Sequence, residues 1–227
     1  MSTTSAGASV VAIDGPSGSG KSTIARGVAS ALGLEMLDTG AMYRAVAYGV
    51  LLSGVDAEDE AAVTTVAENA AIAVQNGVTT LGGADISAEI RGPAVTKLVS
   101  SIAAVPAVRR SLVARQRAWV DQHGGGVVEG RDIGSVVFPE ARVKVFLTAS
   151  EEERARRRQQ DEVAASRTVS VEDVQSSMAR RDAADSSRAV SPLRTADGAT
   201  IVDTTARSPE AIVAEIVDRY RAAEGAS

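Results

Sequence analysis

The chain has 227 residues and a net charge of −5, and 44% of its residues are apolar although only 3% are aromatic. The acidic balance excludes a general attraction to nucleic acid or an anionic membrane, and the absence of cysteine excludes disulfides and thiol chemistry. Because residues 1–9 lack the pattern of an export signal and no apolar run reaches the length of a membrane span, we expect a cytoplasmic protein with small-molecule partners, acting as a monomer.

Short apolar strands alternate with helical segments along most of the chain. Val10–Asp14 is typical of a buried strand, and a helix is predicted from Ser22 to Leu34 with a break near Gly33. Further strands are predicted at 35–37, 126–129, 143–147 and 199–203. Such alternation predicts an α/β fold in which helices cover both faces of a parallel sheet.

A glycine-rich turn joins the first strand to the first helix and matches the phosphate-loop pattern G-x-x-x-x-G-K-[ST] in full. Its glycines allow backbone N–H groups to converge on phosphate oxygens, while Lys21 is expected to reach the β- and γ-phosphates and Ser22 to hold Mg²⁺. The alternative is an ordinary turn with a chance lysine. No N-K-x-D motif is present, which disfavours a GTPase. The predicted ATP-binding residues are Gly15, Pro16, Ser17, Gly18, Ser19, Gly20, Lys21, Ser22 and Thr23.

Two polar segments follow predicted strands. One runs from Asp38 to Arg44 and enters a helix, and the other runs from Glu129 to Asp132. Ligands of open α/β sheets bind beyond the carboxyl ends of the strands, which places both segments well for binding. The alternative for both is ordinary turn chemistry.

Residues 71–90 have a different pattern, because two alternating runs at 71–75 and 78–81 flank Asn76-Gly77. This dipeptide is a strong signal for a β-hairpin, and 84–86 is a candidate third strand. We expect this small β-sheet to be an insertion into the α/β core.

Arginines are concentrated in three later helical segments. Arg109 and Arg110 lie in the first turn of a helix that begins at Pro106, where cations oppose the helix dipole, and this favours an anion contact. A capping-box pattern at Ser150 and Glu153 begins the second segment. The spacing puts Arg154, Arg157 and Arg158 on one helical face, and Arg181, Asp185 and Arg188 on another. The alternatives are a solvated charged face and a surface ion ladder.

The single histidine, His123, lies beside a glycine run and makes a Ser-His-Asp triad or a histidine metal cluster implausible, and we expect it to be a solvated loop residue. A phosphate monoester has a second pKa of about 6, so it is largely a dianion at neutral pH. When it acts as the nucleophile, no general base has to remove a proton from it. Such an acceptor needs positioning and neutralised charge, which arginines supply.

Taken together, these motifs resemble bacterial cytidylate kinases. The resemblance is carried, in family order, by I-D-G-P-S-G-S-G-K-S at 13–22, L-D-T-G-A-M-Y-R at 37–44, Ser100 with A-A-V-P-A-V-R at 103–109, G-R-D at 130–132, V-V-F-P at 136–139, R-D at 181–182 and D-S-S-R-A-V-S-P-L at 185–193. It covers nearly the whole chain after the leader, and only the phosphate loop is shared widely among nucleoside triphosphatases.

The resemblance implies a P-loop three-layer fold with a five-stranded parallel sheet, a monophosphate-binding insertion and an arginine-rich helical lid. The implied division is a leader at 1–9, a kinase domain at 10–222 and a tail at 223–227. Within that domain the core is about 10–62 and 101–222, the insertion about 63–100 and the lid about 150–188.

The resemblance also implies roles for individual residues. The cytosine side is assigned to Ser100, Arg109, Asp132 and Arg188. The sugar is assigned to Thr39, Asp132, Arg181 and Asp185. The acceptor phosphate is assigned to Arg44 and Arg131, and the ATP phosphates to Arg154, Arg157 and Arg158 beside Lys21. The family pattern has Ser where this chain has Thr39, so the preference between CMP and dCMP stays open.

The implied reaction transfers the γ-phosphoryl group of ATP to CMP, and to dCMP as a second acceptor, with Mg²⁺ as the cofactor. Two rival functions remain at this stage. One is a small-metabolite kinase with a hydroxyl acceptor, against which the insertion and the acceptor-side arginines argue. The other is a catalytically idle nucleotide-binding regulator, against which the intact Lys21, Ser22 and Asp132 argue.

Overall fold

The first apolar run forms a fully buried strand, as its sequence predicts, and opens a regular succession of strands and helices. The computed structural model describes residues 9–164 and 170–225. The described elements are β1 (Val10–Asp14), α1 (Lys21–Leu32), β2 (Met36–Asp38), α2 (Thr39–Ser53), α3 (Glu60–Asn69), β3 (Ile72–Gln75), β4 (Val78–Leu81), β5 (Ala84–Asp85), α4 (Pro93–Ile102), α5 (Pro106–His123), β6 (Gly126–Gly130), β7 (Val143–Thr148), α6 (Glu151–Ala164), α7 (Val171–Ser187), β8 (Thr200–Asp203) and α8 (Pro209–Gly225).

The main sheet has five parallel strands in the order β2-β6-β1-β7-β8, which confirms the predicted α/β class. Its central strand, β1, pairs in parallel with both β6 and β7. Asp14 at the end of β1 is in register with Gly130 of β6 and with Phe146 of β7. The segments that follow these strands therefore begin at one edge of the sheet, which is where ligands of such sheets bind.

A separate antiparallel sheet has the order β3-β4-β5, and its hairpin turns at the predicted dipeptide. Asn76 and Gly77 both have positive φ, at 52° and 79°, which a two-residue turn of this kind requires. The sheet packs on α2 through an apolar cluster. Its members are Ala41, Ala45, Ile86 and Ile90, with Tyr48, Ile72, Val74 and Leu81 packed against them.

The described residues divide into two compact units. Those of Met1–Glu35 and Gly125–Ser227 form one unit, and Met36–Gly124 forms the other. The division into core, insertion and lid inferred from the resemblance stays a prediction. Residues 1–8 of the predicted leader, 165–169 of the predicted lid and 226–227 of the predicted tail lie outside the described residues.

The two helices of the predicted lid pack on each other through Ala155 of α6 and Val174 and Met178 of α7. The capping box at the start of α6 is only half formed. The Ser150 hydroxyl accepts a hydrogen bond from Glu153 N at 3.2 Å, but the Glu153 carboxylate bonds Arg156 and Arg157. No helix within 9–164 and 170–225 is both long enough and apolar enough to cross a membrane.

Candidate functional site

Residues 15–20 connect β1 to α1 and follow a path that only glycine permits at two points. Gly15 has a φ of 151°, and a Cβ atom there would lie 2.2 Å from the Leu147 carbonyl oxygen. Gly18 has a φ of 75°, and its Cβ atom would lie 2.8 Å from Arg154 O and 2.9 Å from Met178 Cε. The loop therefore lies tightly against β7 and against both α6 and α7.

Lys21 is the first residue of α1, and its Nζ donates a hydrogen bond to Pro16 O at 2.7 Å across the loop. Burial and, to a smaller extent, the nearby charge of Arg131 lower the pKa of Lys21 to about 7, although Glu129 opposes the shift. The charges of Glu129 and Asp14 thus do not offset burial and the neighbouring arginines, and a bound anion would favour the protonated form of Lys21.

Asp14 ties the end of β1 to the π-helical turn Ile133–Val137, which follows β6. Its two carboxylate oxygens accept hydrogen bonds from Ile133 N and Gly134 N, each at 2.8 Å. Burial raises the pKa of Asp14 to about 6, although these two N–H donors act in the opposite direction. The turn begins just after Arg131 and Asp132, so Asp14 helps to fix the backbone that carries both.

Arg131 joins the phosphate loop to α7. Its Nη1 donates to Gly15 O at 2.7 Å, and its Nε donates to Asp185 Oδ2 at 2.8 Å. Burial acts to raise the pKa of the Asp185 carboxyl, but the charges of Arg131, Arg181 and Arg188 outweigh that effect and hold the pKa below its ordinary value. A buried carboxylate thus organises three of the arginines that the sequence singled out.

The prediction that Arg188 continues the helical face of Arg181 and Asp185 is wrong. Helix α7 ends at Ser187, and Arg188 has a ψ of 135°, outside the helical range. Its side chain nevertheless turns back, with Nη1 at 3.9 Å from Asp185 Oδ1 and Nε donating to Asp185 O at 3.3 Å. The predicted pairing of Arg188 with Asp185 is therefore present, but Arg188 makes it from the residue after the helix and not from a helical face.

The three arginines of α6 that the sequence assigned to the ATP phosphates have different environments. Arg154 donates to Ser17 O at 3.1 Å and forms an ion pair with Asp182. Arg157 donates to Thr204 Oγ1 at 2.8 Å and to Thr204 O at 2.7 Å, at the end of β8. Arg158 pairs with Glu162 on its own helix. Arg154 and Arg157 are thus the two that reach the segments around the phosphate loop.

The predicted acceptor-side residues before position 125 belong to the second unit. Thr39 is buried at the first position of α2, and Ser100 is half-buried in α4. Arg44 donates to Ile90 O at 2.8 Å and to Thr96 Oγ1 at 3.0 Å. Arg109 is buried in the first turn of α5, where its guanidinium lies 5.5 Å from the Tyr43 ring centroid. Their assigned roles in binding stay predictions.

Comparisons with known proteins agree with one another. The family model described as cytidylate kinase matches residues 11–222. A cytidylate kinase of Mycobacterium leprae is 47% identical over 217 residues, which cover 96% of this chain and 97% of that protein. A cytidylate kinase of Mycolicibacterium paratuberculosis is 49% identical over 216 residues, covering 93% of each. The chain belongs to the cytidylate kinase family.

Membership of the cytidylate kinase family makes the chain a nucleoside monophosphate kinase and confirms the resemblance on which the expected fold was based. Among solved structures, a gluconokinase from Sinorhizobium meliloti 1021 aligns over 96% of this chain and 95% of that chain. Its sequence identity is 16% and its TM-score is 0.49, which are too low to bear on function.

Three polar residues near the phosphate loop of this family member were not assigned a role from the sequence. The sequence places Asp14 at the end of a strand and in the motif at 13–22, and Asp182 in the motif at 181–182, but it does not single out Thr204. The signal that could have found Asp14 is an acidic residue at the carboxyl end of an otherwise apolar strand, directly before the loop. Asp182 and Thr204 are recognised only by their contacts.

In the described part of the chain, no group of three or more His, Asp or Glu residues could hold a metal ion. His123 lies at the exposed end of α5 and stacks on Trp119 at 4.2 Å, so it is a helical residue and not the loop residue that we expected. Ser22 is exposed at the second position of α1, beside the phosphate loop.

Proposed function

We propose that the chain transfers the γ-phosphoryl group of ATP to CMP, and to dCMP as a second acceptor, giving ADP and CDP or dCDP. The observation that carries the proposal is the set of contacts on the phosphate loop. Lys21, Arg131 and Arg154 each donate a hydrogen bond to a carbonyl of residues 15–17, in a chain that matches cytidylate kinases over nearly its full length. Cations held around such a loop suit a triphosphate donor.

The chemistry of the acceptor explains why positioned cations suffice. A CMP phosphate is largely a dianion at neutral pH, since its second pKa is about 6. One of its oxygens attacks the γ-phosphorus of ATP, the bond from that phosphorus to the β–γ bridging oxygen breaks, and ADP leaves with the electron pair. No proton has to be removed from the nucleophile, so the protein's task is alignment and charge neutralisation.

Lys21 is proposed to neutralise the phosphoryl group as it moves. Because its pKa is about 7, the Lys21 side-chain amine is only partly protonated at neutral pH before nucleotide binds. Triphosphate anions beside it favour the charged form, so binding of ATP is expected to take up a proton at this side chain. Displacement of the ammonium from Pro16 O toward the phosphates would follow from that attraction.

Arg131 and Asp132 are proposed to serve the transferred group and the acceptor, and Asp14 supports both by holding the turn that follows them. Arg154, Arg157 and Arg158 are proposed to act on the ATP phosphates. Acceptor contacts are proposed for Thr39, Arg44, Ser100, Arg109, Arg131, Asp132, Arg181, Asp185 and Arg188. Closure of the arginine-rich lid over bound ATP is proposed to exclude water that would otherwise hydrolyse it.

Mg²⁺ is the proposed cofactor, and the residues present fit it. Mg²⁺ in kinases keeps several waters and is bound mainly by substrate phosphates with one or two protein oxygens, so a protein cage is not needed. The exposed hydroxyl of Ser22 beside the loop is such an oxygen. When bound, the ion would add positive charge to the β- and γ-phosphates.

The decisive experiment is a coupled ADP-release assay with ATP and a panel of acceptors: CMP, dCMP, UMP, AMP, GMP and hydroxylated small metabolites. We expect kcat/KM for CMP and dCMP to exceed that for AMP and GMP by at least about 100-fold, the discrimination available when an acceptor leaves buried polar groups unpaired. Preference for AMP would refute the proposed substrate. Preference for a hydroxylated metabolite would identify a small-metabolite kinase, and ATP binding without ADP release would identify a regulator. We also propose that the enzyme works as a monomer in the cytoplasm.

A further inference from the structure

The carboxylate of Asp182, on α7, is hydrogen-bonded to the phosphate loop, and both belong to the same compact unit. Asp182 Oδ1 accepts a hydrogen bond from the backbone N–H of Ser17 at 3.1 Å. Its other oxygen, Oδ2, forms an ion pair with Arg154, which also donates to Ser17 O at 3.1 Å. Both side chains are largely shielded from solvent, with 17% exposure for Asp182 and 12% for Arg154. Asp182 and Arg154 therefore form a closed ring of contacts with one residue of the loop, Ser17.

The neighbouring packing keeps this ring in place. Gly18 lies so close to Arg154 O and to Met178 Cε that a Cβ atom would be within 3 Å of both. Met178 belongs to the apolar cluster that joins α6 to α7. The position of Asp182 on the loop is thus supported by backbone contact as well as by its own bonds.

The groups that Asp182 engages are groups that a phosphate would use. Backbone N–H donors of a phosphate loop bind phosphate oxygens, and arginine guanidinium groups pair with them. A carboxylate is an anionic acceptor with the same preference for these donors. The carboxylate and a triphosphate cannot both use the Ser17 N–H and the Arg154 guanidinium in full.

We propose that Asp182 is an internal competitor of the triphosphate, which holds the Ser17 N–H and Arg154 until ATP displaces it. The inference rests on the proposed function, because it assumes that ATP binds at this loop. Displacement has two consequences. ATP affinity is lower than the loop alone would give, and Arg154 becomes available to the phosphates only when ATP has arrived. Asp185, a buried carboxylate of the same helix, differs from Asp182 because it pairs with Arg131 and not with a backbone N–H of the loop.

The test is the dissociation constant for ATP without acceptor, measured by calorimetry on the full chain. Asp182→Ala removes the competitor, and we expect its Kd to fall about tenfold, equivalent to about 1.4 kcal/mol. Asp182→Asn keeps an oxygen that can accept from Ser17 N–H but loses the charge, so its Kd is expected to fall by less, about threefold. Glu172→Gln is the matched control, since it removes one exposed negative charge from the first turn of the same helix. Its Kd is expected to remain within about twofold of the wild-type value.

Inorganic tripolyphosphate and adenosine are the second pair of probes. Competition for phosphate donors predicts the same gain for tripolyphosphate as for ATP, and no gain for adenosine. An unchanged Kd for ATP in Asp182→Ala would overturn the proposal, and a higher Kd would overturn it and assign Asp182 to the support of the bound state. Should that variant fail to fold, the isosteric Asp182→Asn decides by the same criterion. A wild-type protein that bound no ATP would instead refute the proposed function.

Discussion

The buried carboxylate of Asp14 gives the sharpest test of how this site is held together. The perturbation is Asp14→Asn, which keeps the shape of the side chain but cannot ionise. In the wild-type protein both carboxylate oxygens accept N–H donors, from Ile133 and Gly134 at 2.8 Å. The asparagine oxygen can accept from only one of them, and its NH₂ group faces the other. A protonated Asp14 has nearly the same limitation, so the variant imitates the acid form of the wild type.

The magnitude follows from the pKa of Asp14, which burial raises from 3.8 to about 6. The folded state therefore holds this proton more tightly than the unfolded state does. Below pH 3 both states are protonated and ionisation contributes almost nothing; above pH 7 both are ionised and the full penalty of the buried charge is present. At about 1.36 kcal/mol per pKa unit, the wild-type protein loses roughly 3 kcal/mol at this residue as the pH rises from about 3 to about 7.

The variant lacks that loss, so the wild-type free energy of unfolding minus that of Asp14→Asn should fall by roughly 3 kcal/mol between about pH 3 and about pH 7. Urea unfolding at several pH values measures the difference directly. Asp203→Asn is the control of opposite sign, because hydrogen bonds from Thr205 lower the pKa of Asp203. Its contribution to stability should be present at neutral pH and lost as the pH falls.

A stability difference for Asp14→Asn that is flat with pH, or that grows as the pH rises, would refute the reasoning. We expect Asp14→Asn to lower kcat even though it raises stability at neutral pH. Without two matched acceptors the turn after Arg131 and Asp132 is less well fixed, and a small misplacement of catalytic groups lowers kcat by about tenfold or more. A variant that was more stable at pH 7 and equally active would show that Asp14 does not position those residues.

Three further substitutions test other parts of the site. Lys21→Ala should nearly abolish ADP release while circular dichroism shows a retained fold, and near-normal turnover in the folded variant would rule out the phosphate-loop assignment. Arg188→Met should lower kcat/KM for CMP at saturating ATP by a factor equivalent to about 1–3 kcal/mol and leave ATP affinity unchanged, because a closed site is left with unpaired polar groups. An unchanged kcat/KM for CMP would leave Arg188 as a structural partner of Asp185. Thr204→Val removes the hydroxyl that accepts a hydrogen bond from Arg157 at 2.8 Å and donates one to Ser19 O at 3.2 Å. Thermal unfolding should show a loss of about 1–3 kcal/mol in stability, and a loss below about 0.5 kcal/mol would contradict the role of this hydroxyl.

The fold class, the phosphate loop and the hairpin at 71–85 were determined by the sequence alone, because each depends on local patterns. Apolar runs of strand length bounded by polar turns predict a parallel sheet whatever lies elsewhere in the chain. Positive φ at Asn76 and Gly77 is a property of those two residue types, and the phosphate loop is recognised by its own glycines and lysine. The family motifs then supplied candidate residues that no single pattern would have selected.

Only the tertiary structure decided which polar groups meet. Asp14 bonds Ile133 119 residues away, Ser17 bonds Asp182 165 residues away, and Thr204 bonds Ser19 185 residues away. Such pairs depend on the register of parallel strands and on where helices end, and neither is written in a local pattern. The end of α7 at Ser187 is the clearest case, because spacing alone placed Arg188 on a helical face that stops one residue before it. Local sequence fixes which groups a segment offers, but long-range packing selects their partners, since the free energy of each contact depends on both strands or helices being in place.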